Sequence, residues 1–321
     1  MRSTRTLLAR LAGLAIFGLS LYFLIERLVA NREDISALAS GSTIMLIVAT
    51  AGGYACALGL LAWSWGALVT GRAVRGYPYL PVVRVYGRSQ ILKYLPSNLL
   101  PLAGRQVLGA RQGWTQMSLA AASVMEALLM TLVAGLLTLT LGGSVVERIV
   151  PRVSSGWLML AAAILLAGLL FLPSALPRLP WPRLDQAAQD LHALTIGWRL
   201  PAILAALLSF YALCGFLLWT LAGALGRASD AAPWTTLTGA FATAWLAGFL
   251  APGVPAGLGV REAVLLLLLP PAMGDAATVS VTLAMRLTTT LGDLLFFCVA
   301  QVLEVRARSK KHDIAPASRH A

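Results

Sequence analysis

A chain of 321 residues with 58% hydrophobic residues, 12% charged residues and a mean hydropathy of +0.78 is too poor in charge for a soluble domain, where about 25% of residues are charged. Its formal net charge of +12 does not mark a nucleic-acid binder, because the basic residues are divided among alternating segments instead of gathered into one patch. Composition predicts an all-α polytopic membrane protein, with one transmembrane domain over 1–303 and a basic cytoplasmic tail over 304–321.

Apolar runs near the ~20 residues that cross a bilayer occur at 7–25, 43–68, 117–141, 157–172, 202–225 and 276–303. The first follows Arg2, Arg5 and Arg10, as a signal peptide would. Leu28, Val29 and Ala30 lack the small-x-small cleavage pattern, however, and the run is long for a signal core, so an uncleaved first span is expected. Cys56, Cys214 and Cys298 all fall inside predicted spans and read as apolar packing residues, not as a disulfide framework or metal site.

Eighteen lysines and arginines lie before the first span, between 72 and 111, in the loop 173–200 and after 303. The opposite loops hold five: Arg27, Arg32, Arg148, Arg152 and Arg227. The positive-inside rule then places both termini in the cytoplasm, with the basic side toward anionic headgroups.

Six full crossings satisfy that orientation. Two further segments, 79–102 and 235–271, do not read as simple spans. The first carries Arg84, Arg88, Lys93, Pro96 and Pro101; the second contains GFLAPGVPAGLGVREAV from Gly248 to Val264. Broken backbone at membrane depth survives only where protein or a water-filled cavity surrounds it. Each segment therefore reads as a re-entrant or broken helix, the first entering from the cytoplasm and the second from outside. If both cross, the count rises from six to about eight. Pro96, Pro252, Gly253, Pro255, Gly257 and Gly259 are the expected breakers.

PSNLLPLAGR (Pro96 to Arg105) and PGVPAGLGVR (Pro252 to Arg261) share proline first, leucine seventh and arginine tenth. Three crossings between them make the second copy upside down, as in the inverted repeats of transporters. Chance alignment of two Pro/Gly-rich breaks is the competing explanation. Further along, Leu184, Ala187, Ala188, Leu191, Leu194, Thr195 and Trp198 follow helical spacing, which predicts an interfacial helix over 183–199.

Ionisable groups at membrane depth each cost about 2.5–3.5 kcal/mol on insertion scales, so each needs a partner or a task. Arg105, Glu126, Arg261, Glu262, Arg286 and Asp293 are such groups. Arg286 and Asp293, two turns apart on one face, can reach a shared site or each other. Glu126 stands alone in the middle of its span, and Glu126→Gln is expected to spare expression while reducing function. With Lys93 and Tyr94 these residues form the candidate substrate-binding set. For each, structural ion pairing competes with substrate contact.

Gln90, Lys93, Tyr94 and Pro96, followed by Gly104, Arg105 and Glu126, resemble the first signature of the lysylphosphatidylglycerol synthase transmembrane-region family. Pro252, Pro255, Gly257, Gly259, Arg261 and Glu262 resemble its second. The resemblance covers roughly 43–304, and Ser97 stands where the pattern has glycine. It implies lipid translocation in a bacterial cytoplasmic (inner) membrane; the synthase domain fused to this region in bifunctional members is absent.

Three functions compete. A flippase or scramblase would move an anionic or aminoacylated phospholipid, or a related glycolipid, using arginines for phosphate and carboxylates for an ammonium. An accessory subunit would anchor a separately encoded lipid synthase or glycosyltransferase. A membrane-embedded transferase is the third, although there is no metal-spaced His/Cys/Asp set, no G-x-S-x-G and no P-loop. No catalytic residue, metal or cofactor is expected, and transport would proceed without direct ATP hydrolysis.

Overall fold

The structure is a computed structural model that describes residues 40–71, 77–95, 100–141, 199–226, 233–251, 254–269 and 273–314, with a few positions between 156 and 167. The predicted first span, most of the predicted 157–172 span and the predicted interfacial helix lie outside the described residues, as do Pro96, Pro252 and Gly253.

The described residues form helices and turns. Four helices are long and apolar enough to cross a membrane: α1 (Gly41–Thr70), α4 (Gln116–Leu141), α5 (Arg199–Leu225) and, within α8 (Asp275–Ile314), the stretch Ala277–Ala307. Between them lie α2 (Tyr79–Gln90), α3 (Leu100–Ala110), α6 (Trp234–Leu250) and α7 (Val260–Leu268), with short 3-10 turns at Ile91–Tyr94 and Pro255–Gly257. The first odd segment is thus α2, a break and α3; the second is α6, a break and α7.

Local sequence explains the boundaries. Ser40 caps α1 by accepting from the Thr43 N–H at 3.3 Å, and Gly71 ends it at φ 61°. At the second break Pro255 opens the 3-10 turn, while Ala256, Gly257 and Gly259 all have positive φ. Gly259 precedes α7, and Glu262 in its first turn accepts the Gly259 N–H at 2.7 Å, which satisfies one of the donors every helix start leaves over.

Helix α1 is the central post, packing against α8, α5, α4 and α2. Its crossing with α8 is close because Gly292 faces Ala51 and Tyr54; a Cβ there would sit 2.8 Å from the Ala51 carbonyl oxygen. Thr50 and Thr288 share a hydrogen bond of 2.8 Å across the same seam, the small-and-polar contact that joins helices without a hydrophobic driving force. α2 packs on α3 and α6 on α7, so each odd segment is a helical hairpin. The two 3-10 turns, one per hairpin, approach within 8 Å at their Cα atoms.

The exterior is apolar, and a few ionisable groups are buried within an otherwise apolar core. Large apolar residues such as Met45, Val48, Phe216, Leu294 and Val299 face outward, while Arg105, Glu126, Glu262 and Asp293 are each at most 5% exposed. An apolar exterior around a few buried ionic groups suits a membrane-embedded chain.

Candidate functional site

Among the described residues, three ionic assemblies involve the candidate site residues, each using residues from different elements. A fourth joins Arg84 and Arg88 of α2 to Glu304 of α8 at 3.6 and 3.7 Å. In the first, Arg105 of α3 forms a buried ion pair with Glu126 of α4. Tyr86 of α2 donates its hydroxyl to the other Glu126 oxygen at 2.8 Å. The Arg105 guanidinium lies 4.1 Å from the Tyr86 ring centroid and 5.4 Å from that of Trp65, within cation–π range. Trp65 is held in turn by Ser123, which accepts its indole N–H at 3.0 Å. Glu126, alone in its span by sequence, is therefore not alone in the fold. Its predicted isolation is corrected: Arg105 and Tyr86 share it.

In the second, Asp293 of α8 takes Lys93 Nζ at 2.7 Å and the Tyr94 hydroxyl at 2.6 Å, both from the 3-10 turn of the first hairpin. In the third, Arg286, two turns earlier on α8, binds Glu262 of the second hairpin at 3.2 Å. Arg286 and Asp293 do not pair with each other but share Tyr94, whose ring centroid lies 6.0 Å from the Arg286 guanidinium and whose hydroxyl donates to Asp293. One helix thus holds both hairpins.

Arg261 is different. Glu262 is its neighbour in the chain, but Glu262 and Asp293 are both engaged elsewhere. Arg261 has no carboxylate partner among the described residues, and its Nε, like that of Arg105, is buried without a hydrogen bond. Its guanidinium lies 5.9 Å from the Trp245 ring centroid. The side chain runs through a slot between two glycines: a Cβ on Gly248 would come 2.6 Å from Arg261 Cγ, and one on Gly257 would come 2.8 Å from Nε. Gly257 also has φ 67°, so it is required both for the turn and for the slot.

A cavity of about 310 Å³ lies between the hairpins. Arg105, Glu126 and Lys93 line it with Arg261, so both tenth-position arginines of the paired decapeptides border one space. Their settings are not equivalent. Arg105 sits midway along α3, whereas Arg261 is in the first turn of α7. The 3-10 turn and the two positive-φ glycines delay the second helix start.

Sequence reasoning missed Tyr54, Tyr86, Trp245 and Gly248. The aromatic residues look like ordinary packing groups inside apolar runs, and Gly248 carries no signal until its neighbour across the break is known. Tyr54 is 2% exposed and lines the cavity, and its hydroxyl makes no hydrogen bond to a described residue. Among the described residues, no group of three or more His, Cys, Asp or Glu side chains is placed to hold a metal. The three cysteines are free, with Cys214 buried and Cys56 and Cys298 exposed on helix surfaces.

Comparison with protein-family models and with curated proteins finds no match to the chain.

Proposed function

We propose that the protein is a lipid translocase, flippase- or scramblase-like, that passes a phosphate-bearing headgroup through the cavity between its two hairpins without hydrolysing ATP. The observation that carries this reading is Arg261: a guanidinium without a carboxylate partner among the described residues, bordering a cavity inside an apolar bundle. An unpaired charge in such surroundings is costly, and a phosphate is the ligand whose geometry suits a guanidinium fork. In this reading the hairpins are re-entrant, enter from opposite sides of a cytoplasmic membrane and form an inverted pair meeting at their turns. The resemblance of the two break motifs to the lysylphosphatidylglycerol synthase transmembrane region supports the same class of function.

Purified protein reconstituted alone into liposomes tests the reading. With lipid labelled on an acyl chain, protein should render inner-leaflet label accessible to an impermeant quencher. Folded protein that moves no lipid would sink the translocase and favour an accessory subunit; a new chemical species in the lipid extract would favour a transferase.

A further inference from the structure

We propose that the cavity selects a headgroup with one net negative charge and hydroxyl groups, and has no seat for an ammonium. The inference rests on the translocase reading and deepens it. It follows from how the charges are matched. At the cavity, or paired with the residues that border it and with Glu262, stand four cations, Lys93, Arg105, Arg261 and Arg286, and three carboxylates, Glu126, Glu262 and Asp293. Arg84 and Arg88 of α2 form a separate group with Glu304 of α8 and do not line this cavity.

Every one of these carboxylates is engaged. Glu126 is held by Arg105 and Tyr86, Asp293 by Lys93 and Tyr94, and Glu262 by Arg286 and the Gly259 N–H. An ammonium entering the cavity would meet only carboxylates that already carry a cation, and would add a positive charge where one is already in excess. The expectation from sequence that these carboxylates hold a headgroup amine therefore has no uncompensated carboxylate behind it. One charge is left over, that of Arg261. A phosphodiester carries one negative charge and balances it; a second would find no free cation among these groups.

The neutral groups at the cavity wall fit a polyol. The Tyr54 hydroxyl and the Gln90 amide both line the space, and neither makes a hydrogen bond to a described residue. Each can donate and accept, as a headgroup hydroxyl requires. The volume of about 310 Å³ lies at the lower end of small-molecule pockets, which begin near ~300 Å³. That is room for a headgroup, with the acyl chains left in the bilayer.

The test uses full-length protein in phosphatidylcholine vesicles doped with one acyl-labelled lipid at a time: phosphatidylglycerol, phosphatidylethanolamine or aminoacylated phosphatidylglycerol. Movement is read by quenching and retention by mass spectrometry of lipid carried through purification. Glycerophosphoglycerol, the deacylated headgroup, is added as a competitor. Phosphatidylglycerol should be retained and moved at least tenfold over both amine-bearing lipids, and Arg261→Gln should abolish that preference. Arg261→Lys, which keeps the charge and loses the fork, should weaken retention, and serves if the glutamine variant does not fold. Equal or better handling of an amine-bearing lipid, or a preference that survives Arg261→Gln, would overturn the proposal. Selective retention without movement would leave the site standing and remove the translocase; movement without headgroup preference would do the reverse. Competition by glycerophosphoglycerol supports the phosphodiester site. If it saturates the site as tightly as the lipid does, the ligand is a soluble phosphodiester and the translocase reading falls.

Discussion

The two hairpins present the same decapeptide pattern and opposite electrostatics. In the first, Arg105 is 5% exposed, paired with Glu126 and covered by the rings of Tyr86 and Trp65. In the second, Arg261 lies in a glycine slot with no carboxylate partner among the described residues. Each hairpin thus places a guanidinium at one cavity, and the surroundings pair one with a carboxylate and leave the other without one among the described residues. The difference originates in glutamate placement: Glu126 reaches Arg105 from a neighbouring helix, while Glu262, adjacent to Arg261 in the chain, caps its own helix and turns to Arg286.

The largest effect should come from breaking the pair. Removing one member of a buried ion pair costs about 3–5 kcal/mol, because the other is left charged and alone. Glu126→Gln and Arg105→Ala should each lower the melting temperature sharply in detergent or reduce the yield of folded protein. This reverses the expectation that Glu126→Gln spares expression. The double replacement Arg105→Met with Glu126→Leu should recover much of the loss, since an apolar pair of similar volume is tolerated where a half-pair is not. A double variant no better than the singles would show that the pair is not an independent unit.

Next in size, and opposite in kind, is Arg261→Gln. It removes a charge that no described carboxylate stabilises, so thermal stability should hold or rise while lipid movement falls at least tenfold. A drop in stability comparable to that of Glu126→Gln would erase the contrast between the hairpins.

The slot offers a subtler break. Gly248→Ala places a methyl 2.6 Å from Arg261 Cγ and should displace the guanidinium, reducing movement nearly as far as Arg261→Gln. Added to Arg261→Gln it should cost little more, because contacting residues are not additive. Gly257→Ala should behave similarly with an added backbone penalty of about 1–2 kcal/mol for a non-glycine residue in the left-handed region. Full additivity of Gly248→Ala and Arg261→Gln in a movement assay would refute the slot.

The smallest effect concerns α8. Arg286→Met leaves Glu262 its cap on the Gly259 N–H, whereas Lys93→Met leaves Asp293 with the Tyr94 hydroxyl alone. Each carboxylate keeps one donor, but only Glu262 also sits at the positive end of a helix. Lys93→Met should therefore be the more destabilising of the two by about 1 kcal/mol, the upper scale of a charge at an exposed helix terminus. Chemical denaturation of both variants under one condition measures the difference.

Much of this was legible without coordinates. Low charge and long apolar runs determine helices that can cross a membrane, because hydrocarbon tolerates no unsatisfied backbone. Pro255, Gly257 and Gly259 mark the described part of the second break, since one residue type lacks a donor and the other tolerates positive φ. The buried charges were legible as a set for the same reason: ionisable residues inside apolar segments stand out whatever their partners. Pairing was not legible. Lys93 meets Asp293 across 200 positions and Thr50 meets Thr288 across 238, distances over which local periodicity carries no information. Sequence adjacency offered Glu262 to Arg261, and the first turn of α7 directed it elsewhere because a helix start needs an acceptor. The sequence by itself determined which groups are buried against their electrostatic interest. Only the tertiary structure decided which are compensated and which is left facing a cavity, because compensation depends on a few ångströms between side chains on different helices.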